Sequence, residues 1–450
     1  MEQRRADLLI NGGTVLTMDA QRTVLHNGAV AIAGRRVLAV GSIQDIKAQI
    51  VAKRTVDATG CAVMPGLINA HTHLAMNVQR GLSATVQDAL YRVMWPIEQA
   101  LTGEDCYVGA LLGAAEALKA GTTTVNDHYF FMEDIARATT EVGMRGVLGH
   151  TIMTRDGPFV GRAELDEGVA FVRRWQGKHP LVHPALAPHA PDTVSPEWLR
   201  ELRALATELG VLLHLHLAQS QREVETIYAE QGTGAVDHLH RLGFLGPDVV
   251  AAHCIYASDR EVGQLAESGT HAVYCPRTHA LYGRSQRAVE AMMQGVNVVL
   301  GDDYTGRDFG LDLLAEMQAA AMMQRELTGN PQALPAMKLL EMVTVDAARA
   351  LGLEGQIGAL KPGYLADVIV LKLGSLHVTP TFDVVNTVVF GCSGRDVHTV
   401  IVDGQIVVEE GQLTHVNEEM VIKEARKTSA ALLRRALARD DELHQILHLD

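Results

Sequence analysis

Two histidines, His214 and His216, stand two residues apart in LLHLHLAQSQREVE, and Gln219 follows three residues after the second. A second pair, His71 and His73, closes the run VMPGLINAHTH. Residues two apart on a strand point to the same face, so either pair can aim two imidazoles at one point. Imidazole is a common ligand for divalent metals and titrates near neutral pH. His253 in VVAAHC and the adjacent carboxylates Asp302 and Asp303 in NVVLGDD place further donors at the ends of other apolar runs. One HxH alone is as readily a pair satisfied by backbone partners. Several run ends that deliver imidazole and carboxylate to one place point instead to a metal centre. Imidazole and carboxylate ligands with an open position suit Zn²⁺, and Fe²⁺, Mn²⁺ or Co²⁺ accept them as well. Where an acid would complete such a centre, Gln219 offers an amide, which cannot exchange a proton.

These residues need a frame that brings the run ends together. Eight apolar runs can be counted: VMPGLINAHTH, TTTVND, RGVLGH, LVHPALAPHA, GVLLHLHLAQ, VVAAHC, THAVYCP and NVVLGDD. Between them lie amphipathic segments such as SPEWLRELRALATELG and SDREVGQLAESG, with apolar spacings of three and four and a closing glycine. That alternation predicts an α/β fold, a (β/α)8 TIM barrel whose reactive side chains converge at the C-terminal ends of its strands. The ends of the chain read differently. Short strands and glycine turns fill Ala6 to about Gly60, and the same character returns after Pro362 in ADVIVLKL, VVNTVVFG and VHTVIVDGQIVVEEGQ. We expect residues 1–62 and 363–415 to form a small β-sandwich domain, 63–362 the metal-binding barrel, and 416–450 a C-terminal helical segment.

The 450 residues are 47% hydrophobic and 20% charged, enough for a large buried core. A formal charge of -14 disfavours nucleic acid or an anionic membrane as partner and leaves a small-molecule substrate as the expected one. The N-terminal MEQRRADLLINGGTV lacks an apolar segment of the secretory kind, and no uninterrupted apolar span is long enough for a bilayer, so a cytoplasmic protein is expected. Five scattered cysteines with no CxxC pair indicate neither a disulfide framework nor a thiolate zinc site.

PGLINAHTH, WPIE, GTTTVNDHYFF, APHAPDT, HLHLAQ, AHC, CPRTH, LGDD and IGALKPGYLADVIVL, in that order along almost the whole chain, resemble the amidohydrolase superfamily. Within it the chain is most similar to the group of S-adenosylhomocysteine/methylthioadenosine deaminases and triazine hydrolases. The resemblance implies a metal-bearing barrel with a small β-sandwich, and commonly a homodimer or homotetramer. It makes His71, His73, His216 and Asp303 the ligands of one divalent ion and His214 a neighbour. It also implies that Asp303 takes the proton of the attacking water and that His253 faces the developing charge. His189 then matches a substrate contact, and Trp95 a wall of the pocket. Two-metal members need a lysine or glutamate on strand three or four, and RGVLGH and LVHPALAPHA hold none.

The departures from that pattern lie in the family's substrate and proton-shuttle positions, while the ligand positions keep the family's residue types. The deaminases carry glutamate where this chain has Gln219, and that acid is worth roughly two to four powers of ten in rate. CPxSN becomes Cys275, Pro276, Arg277, Thr278, His279, and LGTDG becomes Gly301, Asp302, Asp303, Tyr304. His279 or Asp302 is a candidate for the missing proton transfer, and Tyr304 narrows the pocket. Arg277, Arg284 and Arg307 are candidates for a substrate carboxylate, and Phe130, Phe131 and Met132 for a greasy wall. The expected activity is cleavage of a C–N bond of a small apolar or heterocyclic compound by metal-bound hydroxide. Two forms stand nearly level: deamination of an amino-substituted heterocycle, and hydrolysis of an amide, urea or carbamate, which Gln219 favours. A non-catalytic metal- or ligand-binding descendant is the alternative, and the retained ligand residues oppose it.

Overall fold

The computed structural model describes residues 3–83, 86, 88–283, 289–304 and 310–447, so Arg284 and Arg307 lie outside the described residues. The eight apolar runs supply eight strands in chain order: Leu67–Thr72, Thr122–Tyr129, Arg145–Ile152, Val182–Pro188, Leu213–Leu217, Val249–His253, His271–Tyr274 and Val298–Leu300. Each pairs in parallel with the next, which makes one eight-stranded sheet. The seam between last and first strand is closed by the backbone of Asp303. Its N–H donates to the His71 carbonyl at 3.0 Å, and its own carbonyl accepts from His73 N–H at 3.0 Å. Barrel closure and the chemical cluster therefore share residues.

The crossover helices start and stop where their caps dictate. Ser195 caps Pro196–Leu209, which stops at Gly210 in a left-handed conformation at φ +65°. Ser258 and Glu261 form a capping box on Asp259–Ser268, which stops at Gly269 at φ +74°. Both ends of the chain build a separate nine-stranded mixed sheet, in which Cys61–Pro65 pairs with Arg4–Leu16 and Val368–Lys372. Leu8 and Ile10, Val30 and Ile32, and Val368 and Val370 share one of its cores, the two-residue period of a strand face. The C-terminal helix Glu418–Leu437, capped by Asn417, returns to the barrel, where Ser429 donates to the Val78 carbonyl at 2.7 Å.

One expectation of a strand is overturned. VVNTVVFG reads as a strand because it is rich in β-branched residues, yet Val384–Phe390 is a helix. The Asp383 side chain accepts from the backbone N–H of Val385 and Asn386, and Val388 and Val389 are buried. Capping and burial outweigh the modest helix penalty of valine.

Arg145, fully buried at the start of the third barrel strand, ties the two sheets together. Its guanidinium donates to both Asp367 carboxylate oxygens at 3.1 and 3.0 Å and to the Pro180 carbonyl at 3.1 Å, and it lies 3.5 Å from Asp403. Removing one partner of a buried ion pair strands the other's charge, at a cost of about 3–5 kcal/mol. Arg145→Ala is accordingly expected to lower unfolding stability by that amount in urea titration. A loss below about 1 kcal/mol would show that the pair holds nothing together.

Among the described residues no helix is long and apolar enough to cross a membrane. All five cysteines are buried and free.

Candidate active site

The C-terminal ends of the barrel strands gather a cluster of buried imidazoles around Asp303. Asp303 Oδ1 lies 3.3 Å from His71 Nε2 and 3.5 Å from His73 Nε2. His216 Nε2 is 3.3 Å from His73 Nε2, and the second strand adds His128, whose Nε2 is 3.3 Å from His216 Nε2. Two overlapping groups have donor atoms close enough to share an ion: His71, His73, His128 and His216, and His71, His216, His253 and Asp303, each within 4.8 Å.

Hydrogen accounting fixes which nitrogens face inward. His73 Nδ1 lies 2.8 Å from the His128 carbonyl, and His216 Nδ1 lies 3.1 Å from the His189 carbonyl. A carbonyl only accepts, so each Nδ1 carries the proton and each Nε2 presents a lone pair. His71 Nδ1 is 2.9 Å from His214 Nε2, and its own Nε2 is buried with no hydrogen-bond partner. Burial holds the His71 and His216 rings well below the ordinary imidazole range, and neighbouring histidines push them further down. They are neutral, as metal ligands must be. Bare nitrogens facing each other at 3.3 Å repel unless a cation lies between them, so the donor set fits a divalent ion.

The remaining candidates surround this cluster. His214 belongs to neither donor group and holds His71 from two residues deeper in the barrel. His253 Nδ1 is 3.1 Å from His279 Nε2, and its ring stacks on His216 at 5.4 Å. A cavity of about 290 Å³ opens here, with walls that include Trp95, His189, Gln219, His279 and Tyr304 as well as His73, His216, His253 and Asp303. His189 Nδ1 is 2.8 Å from Thr193 Oγ1, and burial lowers its pKa to about 3. Tyr304 is buried with its hydroxyl 2.9 Å from Ser83 Oγ, and burial pushes its phenol up. Asp302 is not part of the cavity wall. Its N–H donates to Asn69 Oδ1 at 3.3 Å, and burial pushes its carboxyl up to about 7. Arg277 lies off the wall too, 3.5 Å from Glu316, and Phe130 alone of Phe130, Phe131 and Met132 reaches it.

Three non-glycine residues at the cluster have left-handed backbone: Ala218 at φ +48°, His253 at +81° and Asp303 at +64°. Such conformations cost about 1–3 kcal/mol each and persist where the surroundings over-determine them. For Ala218 the surroundings are Glu223, whose buried carboxylate accepts from the N–H of Ala218 at 2.7 Å and of Gln219 at 2.8 Å.

Two cavity residues escaped the sequence reading. His128 follows the run TTTVND by one position, and Glu98 sits in WPIE three residues after Trp95. Glu98 accepts from Tyr129 Oη at 2.6 Å, and burial pushes its carboxyl up to about 7. The quoted motifs themselves were the available signal, since each holds an ionisable residue in an apolar stretch.

A family model described as Amidohydrolase family matches residues 62–407. The chain belongs to the amidohydrolase family. This amidohydrolase is 38% identical to a 5'-deoxyadenosine deaminase of Methanosarcina mazei, over 96% of the chain and 99% of the relative. It is 36% identical to a 5-methylthioadenosine/S-adenosylhomocysteine deaminase of Syntrophobacter fumaroxidans, over 95% and 98%. Its fold superposes with TM-score 0.93 on an adenosine deaminase of Xanthomonas campestris with bound zinc, at 28% identity over 96% of this chain and 100% of that one. An atrazine chlorohydrolase from Arthrobacter aurescens complexed with zinc, 23% identical over 94% and 100%, shares the fold at TM-score 0.85.

Proposed function

We propose that this amidohydrolase uses one divalent ion, zinc in the first instance, held by His71, His73, His216 and Asp303, to hydrolyse the C–N bond of a small amide, urea or carbamate. Support for the ion comes from the facing Nε2 lone pairs, and from the relative of known structure with bound zinc. When bound, such an ion lowers the pKa of coordinated water and polarises the group under attack. Asp303, whose carboxylate borders the ligand nitrogens and the cavity, accepts the proton of the attacking water and returns it to the departing nitrogen. His253, whose Nδ1 lies 3.1 Å from His279 Nε2 and whose ring borders the cavity, faces the developing oxyanion and stabilises it. His189 and Trp95, neighbouring rings of the cavity wall with centroids 6.3 Å apart, contact the substrate side by side.

The observation that carries the carbonyl-type substrate is Gln219 in the cavity wall. An amide there hydrogen-bonds a substrate carbonyl or N–H but cannot protonate a ring nitrogen. A second reading, deamination of an amino-substituted heterocycle, draws support from the deaminase relatives and from Glu98, a cavity carboxyl whose raised pKa keeps protons available near neutrality. One screen separates the two: ammonia release from aminopurines, pterins and triazines against amine or aniline release from ureas, anilides and carbamates. We expect release from the second set. Ammonia from heterocycles alone would overturn the carbonyl reading.

A further inference from the structure

We propose that His128 is a fifth protein ligand of the same ion, an assignment that rests on the metal-centre reading above. Ligands bound to one five- or six-coordinate ion at about 2.0–2.3 Å stand from about 3 Å, for adjacent donors, to about 4.6 Å, for opposite ones, from one another. The separations His73–His216 and His71–Asp303 are both 3.3 Å, and the separation His128–His216 is also 3.3 Å. His128 thus stands from an assigned ligand as far as the assigned ligands stand from each other. All of its donor distances to His71, His73 and His216 fall within 4.8 Å, and the residue is 1% exposed.

The proton count leads to the same place. His216 Nδ1 must donate to the His189 carbonyl, so its Nε2 is bare, and a bare nitrogen 3.3 Å from His128 Nε2 requires a shared proton or a shared cation. If His128 supplied the proton, His216 would be engaged by a hydrogen bond and lost to the ion. If His128 Nδ1–H instead donates to Thr151 Oγ1, 3.1 Å away, its Nε2 lone pair faces the same point as those of His73 and His216. With His216 committed to the ion, only the second arrangement leaves both rings satisfied. Thr151 then plays for His128 the orienting part that backbone carbonyls play for His73 and His216.

Four imidazoles and a carboxylate exceed a tetrahedral zinc set with an open position. They suit an ion that accepts five or six donors, such as Fe²⁺, Co²⁺ or Mn²⁺. The assignment therefore shifts the expected ion of the proposed function from zinc to one of these three.

The test begins with wild-type protein stripped of metal, reloaded with Co²⁺ and crystallised. His128 Nε2 is expected within about 2.3 Å of the ion, and a distance beyond about 3 Å would overturn the assignment. In parallel, Co²⁺ affinity is measured by chelator competition for His128→Asn and Thr151→Val. Loss of a direct ligand is expected to weaken binding more than 100-fold or so, and loss of the orienting hydroxyl by about 10–100-fold. Unchanged affinity in a folded His128→Asn protein would overturn the assignment while leaving the metal centre standing. Wild-type protein that takes up no metal would overturn the centre itself, a failure read before any variant is made. Should His128→Asn not fold, the wild-type distance and Thr151→Val still decide.

Discussion

Asp303→Asn is expected to lower turnover by about 10⁴-fold, the upper end of what a positioned proton acceptor contributes. The reason is that the side chain is asked to do two things. Its oxygen lies 3.3 and 3.5 Å from the His71 and His73 nitrogens, and the same carboxylate borders the cavity where, on the proposed function, water attacks and an amine departs. Asparagine keeps the shape and one ligand oxygen but cannot cycle a proton. The fold has little reason to suffer, because the residue closes the barrel through its backbone bonds to His71 and His73, which the substitution leaves in place. Steady-state turnover together with metal content per chain checks this. Turnover within tenfold of wild type, with metal retained, would remove Asp303 from the proton path and leave it a ligand only.

The barrel was legible because parallel strands buried on both faces write continuous apolar runs, and because polar strand ends marked where each run met the mouth. The same rule explains what was missed. TTTVND seemed to end at Asp127, yet Thr122–Tyr129 runs two residues further and carries His128 into the cluster. Glu98 ends the four-residue helix Trp95–Glu98 between the first two strands, too short a helix to write a readable period. Alternation could not separate His214 from His216 either, since both face the same way. Depth separates them: His216 reaches the donor cluster, while His214 lies below it against His71. In the terminal segments the local signal failed at Val384–Phe390, where a cap supplied by Asp383 and the burial of two valines decided the conformation. His279 and Asp302, equal as substitutes for the missing acid in one dimension, part in three. His279 reaches the cavity against His253, and Asp302 turns away from it.

Gln219→Glu is expected to raise deamination of amino-heterocycles by about 10²–10⁴-fold, the worth of a positioned general acid. The substitution is nearly isosteric, and the backbone around it is pinned: the N–H groups of Ala218 and Gln219 both donate to Glu223, and Ala218 is held at φ +48°. A glutamate would therefore enter the place the amide now occupies. A carboxyl here would be partly buried in the cavity wall, which disfavours its charged form and leaves a proton to donate to a ring nitrogen. Ammonia release from aminopurines, measured for variant and wild type at matched metal content, gives the answer. A gain would mean that one side chain separates the two chemistries on a shared metal centre. Equal rates would move the burden to the residues that differ from the deaminase pattern beside it. Tyr304, fixed by Ser83 at 2.9 Å, occupies space that a glycine would leave open, and His279 engages the His253 ring at 3.1 Å. The variant Tyr304→Gly in the Gln219→Glu background would then distinguish a pocket too narrow for a purine from one lacking only its acid.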